Sequence, residues 1–187
     1  GAPNTIYQYK FNAKTGRITP NDPALLKQPK NTGPRHFTFH PTKDILYFSN
    51  EQGCSVSAYN FDKKKGTLSR FQTITTLPKG WKGDNSCAQI HMTPDGKFLY
   101  APNRGHDSIA QFAVDAKSGR LKALGQVAAE ARPRTFNIDP AGRFLVSAGL
   151  NSGRLRTYRI GEDGRLEQSG STSVGKDPMW VSIIPAG

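Results

Sequence analysis

Large apolar and polar residues alternate in four short stretches of the chain: Arg35-His36-Phe37-Thr38-Phe39, Ala88-Gln89-Ile90-His91-Met92, Arg134-Thr135-Phe136-Asn137-Ile138 and Met179-Trp180-Val181-Ser182-Ile183. A period of two sends successive side chains to opposite faces, so each stretch predicts a β-strand between two different environments. Denser apolar runs follow the first three: Ile45-Leu46-Tyr47-Phe48-Ser49-Asn50, Phe98-Leu99-Tyr100-Ala101-Pro102-Asn103 and Phe144-Leu145-Val146-Ser147-Ala148-Gly149. Such runs predict strands covered on both sides. A third set follows, at Val56-Ser57-Ala58-Tyr59-Asn60-Phe61, Ile109-Ala110-Gln111-Phe112-Ala113-Val114 and Leu155-Arg156-Thr157-Tyr158-Arg159-Ile160. Each of these runs into a polar turn closed by glycine, at Gly66, Gly119 and Gly164. The N-terminus carries the same pair, Ile6-Tyr7-Gln8-Tyr9-Lys10-Phe11 and then Thr15-Gly16-Arg17-Ile18. Glycine supplies the positive φ that tight hairpins demand. No stretch sustains a helical period.

The joint between the first and second strands is one turn used three times: His40-Pro41-Thr42-Lys43-Asp44, Thr93-Pro94-Asp95-Gly96-Lys97 and Asp139-Pro140-Ala141-Gly142-Arg143. Its prolines recur at a period of roughly 50 residues, the signature of a repeat architecture. The register extends to Pro34, Cys87 and Pro133 ahead of those prolines, with a fourth copy at Pro178 ahead of Pro185. Each unit is therefore a four-stranded antiparallel meander, and such units at this spacing are the blades of a β-propeller. The expected fold is all-β: a single partial propeller over 1–187 with about four blades' worth of strands. Whole blades are expected near 33–74, 85–127 and 131–175. The end of an earlier blade is expected at 4–22, and the first strand of a closing blade at 177–185. The preferred reading is the C-terminal part of a longer ring. The other is a small propeller whose last strand completes the first half-blade.

Composition narrows the partners. Lysine and arginine total 26 against 14 acidic residues, a net charge of +12. That balance favours small anionic ligands. The run Lys63-Lys64-Lys65 reads as a solvated loop tip, and no basic stripe is interleaved with exposed aromatics, so nucleic acid is not expected. No apolar run is long enough to span a membrane and no signal peptide is visible. A cytoplasmic setting is expected, with a periplasmic or secreted one open. Cys54 and Cys87 form no CxxC or Cys/His cluster, so they read as small core residues and no metal site is expected.

In a propeller the first strand of each blade lines the central channel, so equivalent repeat positions converge. Those positions hold Arg35, Ala88, Arg134 and Met179, then His36, Gln89, Thr135 and Trp180, then Thr38, His91, Asn137 and Ser182. The loops after the second strands add Asn50-Glu51 and Asn103-Arg104. Positions that only build a blade are expected to look alike, and these differ from copy to copy, which reads as a site.

The phrases Gly33-Pro34-Arg35-His36-Phe37-Thr38-Phe39-His40-Pro41, Gln89-Ile90-His91-Met92-Thr93-Pro94-Asp95-Gly96-Lys97-Phe98-Leu99-Tyr100, Pro133-Arg134-Thr135-Phe136-Asn137-Ile138-Asp139 and Asp177-Pro178-Met179-Trp180-Val181 closely resemble the C-terminal half of the bacterial propeller-type 6-phosphogluconolactonases. Fungal carboxymuconate-cyclising enzymes are relatives of that family. The resemblance runs from about residue 4 onward and departs from the pattern at Gly149-Leu150, where the other copies have Asn50-Glu51 and Asn103-Arg104. It implies a seven-bladed ring and hydrolysis of 6-phosphoglucono-1,5-lactone without metal or organic cofactor.

A phosphorylated lactone needs cations for its phosphate, a base for water, and donors for the oxyanion. The expected catalytic residues are Glu51, His36, His91 and Arg104. The expected substrate-binding residues are Arg35, Arg134, Asn50, Asn103 and Gln89. Neither a Ser-His-Asp arrangement nor a nucleophile elbow is apparent, so direct attack by water is expected. Trp180 is expected to fill the closing blade, and Trp81 either lids the channel or packs on its rim. Two rivals stay open: a muconate-type cyclising enzyme, and a non-catalytic propeller that binds a protein. A partial ring is also expected to self-associate or to need further blades.

Overall fold

The computed structural model describes residues 4–184 and contains strands but no helix among them. A two-stranded sheet comes first, β1 (Thr5–Asn12) and β2 (Arg17–Lys27). Three four-stranded antiparallel meanders follow. The first is β3 (Pro34–Phe39), β4 (Ile45–Asn50), β5 (Ser55–Asp62) and β6 (Thr67–Thr75). The second is β7 (His91–Met92), β8 (Phe98–Asn103), β9 (Ser108–Val114) and β10 (Leu121–Ala128). The third is β11 (Pro133–Ile138), β12 (Phe144–Gly149), β13 (Arg154–Ile160) and β14 (Leu166–Ser173). This is the all-β propeller arrangement expected from the repeat. Among the described residues no helix is long and apolar enough to cross a membrane.

The core lies between sheets rather than inside any one of them. Ile45, Tyr47 and Val56 of one meander meet Ile90, Leu99 and Phe112 of the next. Tyr100 and Ile109 in turn meet Phe136, Leu145 and Tyr158. Ile6 of the two-stranded sheet packs on Leu46, Phe48 and Tyr59. That is why the second strands are apolar on both faces: all six residues of β4 are buried.

Polar side chains lock these interfaces at repeating positions. Tyr47 donates its hydroxyl to the Gly119 carbonyl at 2.7 Å, and Tyr100 donates to Gly164 at 2.8 Å. Each joins a second strand to the outer hairpin of the following sheet. The hairpin glycine is needed twice over: Gly119 has φ +68°, and a Cβ there would run into Ile45. A glutamine on the third strand does similar work. Gln8 accepts from Leu68 N–H at 3.0 Å and Gln111 from Leu166 N–H at 2.6 Å. The intervening repeat has Ala58 at that position, and its cross-strand neighbour Gln72 takes over, accepting from Leu121 N–H at 2.7 Å.

Two expected strands differ. The stretch Ala88–Met92 shortens to His91–Met92, with a single bridge between Cys87 and Asn103. The missing ladder is diverted to the preceding sheet: Cys87 N–H donates to Glu51 O at 3.1 Å, and Ser49 Oγ donates to Ala88 O at 2.7 Å. Residues 177–184 form no strand. They are tethered to β11 by Val181 N–H donating to Thr135 Oγ1 at 3.0 Å and Asn137 Nδ2 donating to Val181 O at 3.4 Å. A period-two pattern becomes a strand only where another strand offers a ladder, and no described strand does so here. Pro185 lies outside the described residues.

Candidate active site

The first strands of successive sheets are neighbours, β3 beside β7 and β7 beside β11. Their leading residues therefore converge. Arg35, His36, Gln89, Arg134, Met179 and Trp180 line one open cleft of about 240 Å³. A roomier cleft of about 580 Å³ runs past Asp95, Lys97 and Glu162, but its lining includes neither arginine nor histidine.

Glu51 follows β4 and is fixed through its backbone, its N–H donating to Gly33 O at 2.7 Å and its carbonyl accepting from Cys87. Its carboxylate is shared by two arginines. Oε2 lies 3.4 Å from Arg35 Nε, and Oε1 pairs with Arg104 Nη2. Arg104 follows β8 at the equivalent repeat position. Its side chain is only 7% exposed, and Nη2 also donates to Cys87 O at 2.9 Å. Its Nε is buried without a hydrogen-bond partner among the described residues. Arg134 has no carboxylate partner among them. Three guanidiniums thus face one carboxylate, so the cleft carries surplus positive charge. Burial lowers the Arg35 pKa, Glu51 opposes that, and Arg104 and Arg134 lower it further. An arginine so perturbed remains a cation.

The histidines are held neutral. His36 is pushed below its ordinary 6.5 by burial first and by Arg35 next, with Glu51 pulling the other way. His91 stands edge-on to Phe136 at 4.8 Å between ring centroids, and burial pushes it down to about 4. The sign of that shift makes a prediction. The unfolded chain binds the His91 proton near pH 6.5 and the folded chain only near 4, so stability is lost as pH falls through that window, by about 3 kcal/mol. Urea midpoints at pH 7 and pH 4.5 should separate widely for the native chain and less for His91→Gln. Equal losses in both would sink the prediction.

Two expected binding residues do not reach the cleft. Asn50 and Asn103 are fully buried. Asn50 Nδ2 donates to Ser55 Oγ at 3.0 Å and Ser57 Oγ at 2.8 Å. Asn103 exchanges bonds with Thr76, its Oδ1 accepting at 2.7 Å and its Nδ2 donating at 2.9 Å. These amides finish the inner ends of their sheets, because the residue that closes each second strand points into the blade. Gln89 does line the cleft, and its Oε1 is anchored by Phe136 N–H at 2.8 Å. Trp180 lines the cleft and is 70% exposed, since no described strand covers it. Met179, not expected as a site residue, lines the cleft beside it; its place in the repeat register was the available signal. Trp81 packs edge-on against His106 at 4.5 Å, away from the cleft-lining residues. His40 is buried and its Nδ1 accepts from Thr42 N–H at 3.1 Å.

Comparison with known proteins gives a consistent set. The family model described as "Lactonase, 7-bladed beta-propeller" matches residues 3–183. A 6-phosphogluconolactonase of Pectobacterium carotovorum is 36% identical over 171 residues, covering 91% of this chain and 52% of that protein. One from Erwinia tasmaniensis is 37% identical, covering 91% and 51%. The chain thus spans about half the length of these curated relatives. Among solved structures, a periplasmic gluconolactonase of Pseudomonas aeruginosa superposes with TM-score 0.86 at 29% identity, over 93% of this chain and 49% of that one. A protein of Lactobacillus plantarum superposes with TM-score 0.88 at 26% identity, over 95% and 51%.

Proposed function

The chain belongs to the seven-bladed lactonase β-propeller family, and we propose that its arginine-lined cleft takes part in hydrolysing a sugar-acid lactone, foremost 6-phosphoglucono-1,5-lactone. The observation that carries this reading is the meeting of Arg35, Arg134, Gln89 and a neutral His36 in one open cleft. An anionic substrate finds cations there, and water finds an unprotonated base. The names of the Pectobacterium and Erwinia relatives support the same substrate.

The steps assigned to the chain's residues are these. A ring nitrogen of His36 takes a proton from water as its oxygen attacks the lactone carbonyl. The carbonyl oxygen becomes an oxyanion facing Arg35, whose Nε is held by Glu51. The carbonyl carbon then releases the ring oxygen, which collects the proton from His36 and leaves as a hydroxyl. Arg104 is too enclosed to be the main substrate contact. With Glu51 it forms the post that orients Arg35. Arg134, free of any carboxylate partner among the described residues, suits the phosphate, for which a guanidinium offers two parallel donors. Direct water attack uses no metal or organic cofactor.

Exposed Tyr7, Tyr9, Phe11 and Ile18 on the two-stranded sheet suit the packing of further strands of the ring. The decisive assay is hydrolysis of the phosphorylated lactone by the chain alone and by the chain joined to the N-terminal blades of the Pectobacterium relative. No turnover in either form would overturn the proposal. Arg134→Ala is expected to raise KM for the phosphorylated lactone by about 10-fold to 100-fold, as loss of a charge-assisted contact does. It should leave KM for glucono-1,5-lactone nearly unchanged. Equal effects on both substrates would remove Arg134 from the phosphate.

A further inference from the structure

The two cysteines occupy unrelated repeat positions and belong to different sheets, yet the fold brings them together. Cys54 ends the turn Glu51–Cys54 between β4 and β5, in the left-handed region at φ +43° and partly open to solvent. It is therefore not the core residue the sequence suggests. Cys87 is fully buried at the head of the next sheet. The two segments are laced together. Cys54 Sγ lies 3.4 Å from Asn85 O and accepts from Asn85 Nδ2 at 3.3 Å. In return, Cys87 N–H donates to Glu51 O at 3.1 Å. Thr76 Oγ1 reaches both residues, 3.0 Å from Cys54 O and 3.2 Å from Cys87 Sγ.

We propose that Cys54 and Cys87 are a peroxide-sensitive thiol pair, which closes into a disulfide that ties the Glu51–Cys54 turn to the following blade. The environment divides the labour between them. Cys54 is brought down to about 6, chiefly by the hydrogen bond from Cys87, against burial and with help from Asn85 and Arg104. Cys87 is raised by its bond to Cys54 and by burial, so it keeps its proton. The partly open member is the thiolate, and the thiolate is the form that attacks a peroxide oxygen. In the first step Cys54 sulfur takes an oxygen from hydrogen peroxide, the O–O bond breaks, hydroxide leaves, and sulfenic acid forms. Cys87 sulfur then attacks Cys54 sulfur and the S–O bond breaks. The departing oxygen leaves as water, carrying the Cys87 proton. Cysteine is oxidised and peroxide reduced, one peroxide per disulfide.

The clamp would sit directly behind the Glu51–Arg104 pair, since Cys87 O is an acceptor for Arg104. The proposal does not rest on the lactonase reading, and its test is independent of activity. The reduced chain is treated with graded hydrogen peroxide and its intact mass followed. The expected product has lost both thiols together, weighs two hydrogens less, stays monomeric on a non-reducing gel and reverts with dithiothreitol. Cys87→Ser should stop one oxygen heavier and react with dimedone. Cys54→Ser should consume peroxide at least about 10-fold more slowly. A native chain that gains oxygens without losing the two hydrogens would overturn the pairing, as would one that cross-links to a second copy. A Cys54→Ser chain as reactive as the native one would overturn the assignment of Cys54 as the attacking thiolate. The native measurement needs no variant to fold.

Discussion

Replacing His36 with glutamine is expected to lower kcat for 6-phosphoglucono-1,5-lactone by about 10²-fold to 10⁴-fold, the usual share of a general base. KM should change little, because Arg134 and Gln89 remain. Three proton acceptors stand in the cleft or behind its lining, and geometry ranks them. Glu51 has an arginine on each carboxylate oxygen. His91 stands edge-on to Phe136 and is pushed to about 4 by burial. His36 lines the cleft and is held below 6.5, hence neutral at pH 7. A base works only when unprotonated, so on the proposed reading kcat/KM of the native chain should rise from acid pH and level off above the lowered His36 pKa. That acid limb should therefore lie below pH 6.5 and disappear in His36→Gln. A limb unchanged in the variant would show that the proton goes elsewhere.

Glu51→Gln is expected to cost about 10²-fold to 10³-fold in kcat, comparable to the loss of an oxyanion donor. The route is indirect. The substitution keeps the shape and removes the charge, so Arg35 loses its orienting partner and the nearly buried Arg104 loses its counter-ion. Burying an uncompensated guanidinium is unfavourable, so thermal stability should also fall. The pH profile separates this role from that of a base. Glu51 is the one group raising the His36 pKa. Without it His36 drops further, and the acid limb moves to lower pH while persisting. A limb that vanished in Glu51→Gln but survived in His36→Gln would make Glu51 the base and reverse the two assignments.

Much of this molecule is legible in its sequence because the blade repeats. The turn around Pro41, Pro94 and Pro140 fixes the period, and alternation against dense apolar runs separates first strands from second. The register alone named Arg35, His36, Gln89 and Arg134 as residues that would converge, and they line one cleft. The same reasoning failed at Asn50 and Asn103. A one-dimensional register cannot say which way the residue that ends a strand points, and both amides turn inward to complete their sheets. At Trp180 and its neighbours the pattern is that of a strand, and no described strand offers them a ladder.

What the sequence determined by itself was periodic: strand order, blade architecture, and the set of polar positions repeated without being conserved from copy to copy. Periodicity is a local property of side-chain spacing, and hydrophobic burial acts on it directly. What only the tertiary structure decided was pairing between different repeats. Glu51 with Arg104, Gln72 with Leu121, and Cys54 with Asn85 beside Cys87 each join one sheet to the next, which spacing along the chain does not specify. They meet because consecutive sheets pack face to face, and that packing brings Arg104 to Glu51 and sets Cys54 against the segment that holds Cys87.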